Sequence, residues 1–95
     1  MKTTQIQING REATLNFDRH ARFRYGRHGG NLNALGIAGQ DYFQSILLIW
    51  SALDEASRGL YPDPALLVDH IAENDDALYE QVFAAAGHWF EAKQS

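Results

Sequence analysis

The chain contains no cysteine. Disulfides, thiolate metal sites and a cysteine nucleophile are therefore excluded, and the composition fits a reducing compartment. Long apolar runs are missing too. The opening MKTTQIQING holds no apolar stretch of signal-peptide length, so no leader is expected. The most apolar stretch, Tyr42 to Ala56, is shorter and more interrupted than the ~20 apolar residues that cross a bilayer. No segment is of low complexity, and no internal repeat is present.

Catalytic and metal-binding signatures are equally scarce. His20 and His28 share a predicted helix but stand eight positions apart, too far to chelate one ion together, and His70 and His88 fall on different helices. No HxxxH or HExxH spacing occurs. Asp54 and Glu55 are adjacent, so on a helix they point about 100° apart. Asp75 and Asp76 suit a helix N-terminus. Both pairs read as solvated or capping charges. Ser45 and Ser51 lie in an apolar helix without a GxSxG elbow, and a buried serine there commonly bonds back to the preceding turn. Gly26, Gly29 and Gly30 do not form a phosphate loop. The expectation is a non-enzymatic protein with no metal and no cofactor.

What is present points to one α+β domain spanning 1–95, with a β-hairpin in 1–17 and a small bundle of about four helices in 18–95. A chain of this length buries roughly 60–70% of its unfolded surface, enough for one core without staples. Asn9-Gly10 is a type I′ turn signal, since both residues tolerate positive φ. With that two-residue loop, Ile8 faces Arg11, Ile6 faces Ala13 and Thr4 faces Leu15. One side of the hairpin then carries Ile6, Ile8, Ala13, Leu15 and Phe17, and register and pattern agree. Such a hairpin is marginal alone, so its apolar face must lie on helices.

Asp18 is a good N-cap for a helix from Arg19 to about His28, ended by Gly29-Gly30. Asn31 is a candidate cap for a short turn holding Leu32 and Leu35, Gly36 to Gln40 reads as a loop, and Asp41 caps the next helix. In Tyr42–Ala56, apolar groups recur at Phe43, Ile46, Leu47, Trp50 and Leu53, with Leu48 on the far side. A helix this apolar is a central core element. Gly59 is expected to end it. Asp63-Pro64 starts another helix, reaching about Glu73, with Leu66, Leu67, His70 and Ile71 on one face. The last runs from about Asp76 to Ala92, its stripe built from Leu78, Val82, Ala85, Ala86 and Trp89. Gly87 within it marks a bend or a close backbone approach. The summed apolar faces look too small to cover the central helix, which predicts an apolar patch near Leu48 or Trp50, or a dimer that hides it.

Charge is unevenly divided. The net charge is −4, yet up to Gly30 six cations face two carboxylates, and from Asn31 onward two cations face ten. Arg19, Arg22, Arg24 and Arg27 interleave with Phe23 and Tyr25, a pattern able to meet phosphates and stack on bases. The acidic total argues against nucleic acid, and arginine is common at protein interfaces. A solvated or internally paired face ranks first, a protein-binding face second, and a nucleic-acid-binding regulator third. Trp89 and Phe90 are adjacent on one helix; both lying in the core through a wide stripe ranks first, and one of them exposed as an interface anchor second.

The order of features resembles a family. It comprises a hairpin with the turn Ile8-Asn9-Gly10, then Phe17-x-x-x-Ala21 through Gly29 and Asn31-Leu32. An apolar helix with Trp50-Ser51-Ala52-Leu53 comes next, then a proline-containing loop and two helices at Leu66–Glu73 and Ala77–Phe90. This is similar to the tail assembly chaperones of long-tailed bacteriophages, related prophages and gene transfer agents. The resemblance implies a small cytoplasmic protein of the host cell that holds the tape measure protein soluble, recruits tail tube subunits and leaves before the tail is finished. It implies no catalytic residues, no membrane association and weak self-association. Arg19, Arg22, Arg24, Arg27, Leu48, Trp50, Trp89 and Phe90 are the candidate partner-binding residues. The chain departs from the family where many members carry glutamates in the helix that here holds the arginines.

Overall fold

In the computed structural model, residues 3–30, 42–72 and 75–94 are described, with side chains in the last helix described up to Gly87 and at Trp89. Strands β1 (Thr3–Ile8) and β2 (Arg11–Asn16) pair antiparallel with Ile8 opposite Arg11, Ile6 opposite Ala13 and Thr4 opposite Leu15. Asn9 and Gly10 adopt φ of 52° and 78°, the double positive φ of a type I′ turn. Ile6, Ile8, Ala13, Leu15 and Phe17 are all buried, so the register derived from alternation is the one adopted.

Helix α1 (Arg19–Arg27) begins where Asp18 Oδ1 accepts the Ala21 N–H at 2.9 Å. Its inner edge is Ala21 and Tyr25, both buried. It ends as expected at the glycine pair. Gly29 takes φ 95°, and the Gly30 N–H returns to Tyr25 O at 2.7 Å. A Cβ at Gly30 would collide with Tyr25 O and with its ring, so glycine is required there for space.

Helix α2 (Tyr42–Ala52) is the core element, buried from Gln44 through Ala52. It is shorter than expected. Leu53 leaves the helix to bridge Leu15, the Asp54 N–H donates to Thr14 O at 3.0 Å, and the Thr14 N–H returns to Asp54 Oδ2 at 3.3 Å. Asp54 then caps a new helix, α3 (Glu55–Leu60), accepting the Ser57 N–H at 2.7 Å. Strand β2 thus captures the chain with hydrogen bonds the helix would otherwise keep, and Gly59 lies inside α3 rather than stopping α2. The Ser51 hydroxyl is buried without a partner and does not bond back to the preceding turn.

Asp63 caps the next segment as expected, with Pro64 at its start, but this is a single 3-10 turn (Pro64–Leu67) and not a helix reaching Glu73. Beyond it the His70 and Ile71 N–H groups both return to Leu67 O in turns, and tyrosine hydroxyls take the carbonyls that follow. The Tyr42 hydroxyl donates to Ile71 O at 2.6 Å, and the Tyr79 hydroxyl donates to Ala72 O at 2.6 Å. Within the expected face, Leu67 and Ile71 are buried, whereas Leu66 and His70 are exposed. Helix α4 (Asp76–Gln94) buries Tyr79, Val82, Ala85, Ala86 and Trp89, with Leu78 and Phe83 partly covered. Nothing lies within 4 Å of a Cβ built at Gly87, so the close approach expected there is not found among the described residues. The readings made for Asn31 to Asp41 fall outside the described residues.

The arrangement is a two-stranded sheet with α4 across β1, while α2 is held between α1, β2 and the 3-10 turn. Asp54 ties three of these together. Its carboxyl is held below the usual aspartate range, first by the Ser57 hydroxyl and N–H and then by the Thr14 N–H; Asp18 is lowered mainly by the Ala21 N–H. A depressed folded-state value gives stability that is present above the unfolded pKa and is lost as pH falls through the folded one. Asp54→Ala should cost about 1–2 kcal/mol by urea unfolding at pH 7. Asp54→Asn keeps the cap, should cost less, and should lose stability less steeply below about pH 4. Ser51→Ala removes the orphaned hydroxyl and should be neutral or stabilising by up to about 1 kcal/mol in the same assay.

Candidate partner-binding surfaces

Three of the candidate partner-binding side chains are in the core. Leu48 is 0% exposed, Trp50 6% and Trp89 2%. Trp50 is covered by two segments that the summed helix faces left out. Its Nε1 donates to Tyr61 O at 2.8 Å, and the His28 ring meets it edge-on at 4.8 Å. Leu48 is enclosed by the elements packed around α2. Trp89 donates from Nε1 to Phe17 O at 3.3 Å and stacks edge-on to Phe17, with Tyr25 beside it. The apolar patch expected at Leu48 or Trp50 is absent, and with it the need for a dimer to cover them. The Phe90 side chain lies outside the described residues.

The apolar surface is displaced instead to the first turn of α2. Phe43, placed on the buried face by its spacing, is 56% exposed, and Val68 is 48% exposed. Between α2 and the 3-10 turn runs an open groove of about 430 Å³, lined by Tyr42, Phe43, Ile46, Leu47, Pro64 and Val68, with His28 and Asp63 at its polar edges. Groove size and lining fall in the range of ligand and side-chain sites, which are apolar with a few polar groups. The sequence carried one signal for it: Tyr61-Pro62-Asp63-Pro64 cannot run on as a helix and must turn close to the core.

The arginines of α1 divide. Arg24 is half-buried, and its Nε donates to Ser51 O at 3.0 Å at the C-terminal end of α2. Burial, then the neighbouring Arg58 charge, lowers its pKa. Arg58 does a parallel job, donating from Nη1 to Leu53 O at 2.7 Å. Arg19, Arg22 and Arg27 are exposed and make no ion pair or hydrogen bond among the described residues. Internal pairing therefore applies to Arg24 through a carbonyl, and the other three are solvated.

The remaining polar groups are dispersed. Among the described residues no three His, Asp or Glu side chains gather as metal ligands, and no helix is long and apolar enough to cross a membrane. His70 stacks edge-on to Tyr61 at 5.7 Å, and His20 is exposed on α1. Asp54 and Glu55 do not converge as an acid pair, since Asp54 is committed to its cap. Comparison with known proteins finds no matching family model, no similar curated protein and no similar solved structure.

The split among the arginines is measurable. Arg24→Ala should destabilise the fold by about 1–2 kcal/mol, through the lost carbonyl hydrogen bond and the packing of its stem. Arg22→Ala should stay within about 0.5 kcal/mol of the parent in thermal melts.

Proposed function

We propose that this protein is a non-enzymatic assembly chaperone of phage or prophage tail morphogenesis. In this reading it acts in the host cytoplasm, binding the tape measure protein and engaging tail tube subunits. The observation that carries it is the open apolar groove between α2 and the 3-10 turn, with Phe43 and Val68 standing exposed at its sides. A tape measure protein is long and rich in apolar helical surface, so its chaperone needs a preformed apolar site on a stable scaffold. The groove is such a site: its floor is α2, buried along most of its length. A client helix placing apolar side chains one turn apart into the groove would bury Phe43 and Val68 together with its own stripe. The order of hairpin, apolar helix, proline-containing loop and last helix supports the same reading by its likeness to tail assembly chaperones.

The test is co-expression with the tape measure protein encoded in the same gene cluster. The expected result is a soluble client that co-elutes with the chaperone on a sizing column. Phe43→Asp combined with Val68→Asp should abolish co-elution while leaving the melting temperature nearly unchanged, since both residues are already exposed. An insoluble client that the parent protein does not rescue, with no complex on the column, would overturn the proposal.

A further inference from the structure

Helix α1 presents two different faces. Ala21 and Tyr25 are buried against the core. At about 100° per residue, Arg19, Arg22, Phe23 and Arg27 fall on the opposite side, within an arc of about 140°. All four are exposed, and Phe23, at 66%, has the greatest exposure of the large apolar side chains described. The three guanidinium groups have no carboxylate partner among the described residues. An aromatic ring bracketed by unpaired arginines has the composition of an interface centre, where these residue types are enriched. Free guanidinium forks match carboxylates in pairs of parallel hydrogen bonds.

We propose that this face docks an acidic amphipathic helix of another protein, with carboxylates on Arg19, Arg22 and Arg27 and an apolar side chain against Phe23. A helix fits because its side chains recur at the same pitch as those of α1. Nucleic acid fits less well. Phe23 is the one aromatic ring on the arc and the Tyr25 ring is buried, so successive bases would lack a second aromatic platform to stack on. A second copy of the chain also fits less well. Asp18, Asp54, Asp63 and Asp75 already accept backbone N–H groups. Among the other described carboxylates only Asp76 and Glu80 stand one helical turn apart, and no described face offers three around an apolar side chain. This surface shares no residue with the groove lining, and the inference does not depend on the groove's role.

The experiment is fluorescence anisotropy of the full chain with three probes. These are a labelled helical peptide with glutamates bracketing a leucine one turn to either side, the same peptide with lysines for glutamates, and a single-stranded oligonucleotide. The acidic peptide should bind, its affinity falling as salt is raised, and the lysine peptide should not. Arg22→Glu with Arg27→Glu should weaken acidic-peptide binding by about tenfold or more, and Phe23→Ser by several-fold. Phe43→Asp in the groove should leave it unchanged, which separates this surface from the chaperone reading. All these side chains are exposed, so folding is checked by circular dichroism and is expected to persist. Four results would overturn the proposal. They are no binding of the acidic peptide, equal binding by the double arginine variant, tighter binding of the oligonucleotide, and salt-sensitive self-association lost in that variant.

Discussion

The fold depends on the exchange of hydrogen bonds between Thr14 and Asp54. Asp54 donates its N–H to Thr14 O and receives the Thr14 N–H on its carboxylate, and the same carboxylate caps α3. A two-stranded hairpin is marginal by itself. Here the open edge of β2 gains a partner at Leu53 and Asp54, and the buried hairpin face is thereby fixed against α2. The junction also ends α2 with its last carbonyls close to two arginines, Arg24 on Ser51 O and Arg58 on Leu53 O. Cations at that position suit the negative end of the helix dipole and satisfy carbonyls that lack helical donors.

Carboxylates serve the same purpose throughout the chain. Asp18, Asp54, Asp63 and Asp75 each start a turn or helix by accepting an N–H, so much of the apparent acidity is structural. This changes the meaning of the charge asymmetry. The acidic part of the chain is not a uniform negative face opposed to the basic one. Several of its charges are committed at helix ends, whereas three of the arginines on α1 have nothing local to do.

Features set by short-range chemistry were legible in the sequence. Asn9-Gly10 and the period-2 alternation gave the hairpin with its register, Asp18 and Gly29-Gly30 gave both ends of α1, and Asp63-Pro64 gave the start of the 3-10 turn. What periodicity missed was decided by contacts far apart in the chain. The break after Ala52 needs Thr14, which lies 40 residues from Asp54 in sequence. The segment after Leu67 is held by the hydroxyls of Tyr42 and Tyr79, on Ile71 O and Ala72 O, contacts that its own spacing does not announce. The candidate site suffered most. Helical spacing put Phe43 with Ile46 and Leu47, and spacing cannot say which residues of a face a neighbouring element covers. It also gave no way of knowing that His28 and the Tyr61 carbonyl would cover Trp50. Leu48, Trp50 and Trp89 are therefore parts of the scaffold, and the exposed large apolar groups lie at Phe23, Phe43, Leu60, Leu66 and Val68.

This placement explains how a domain with so complete a core can still offer binding surface. Burying α2 from Gln44 to Ala52 uses the hairpin, α1 and the 3-10 turn, and α4 packs on β1 with its buried stripe in the same core. The elements are short, so each covers α2 over only part of its length. The groove runs between the first turns of α2 and the segment holding the 3-10 turn. Helix α1 needs only two of its nine residues for the core and leaves its outer arc free. Both surfaces sit on helices held from beneath by buried side chains. A partner binding there meets a site already formed, and little of the binding free energy is consumed in ordering this chain.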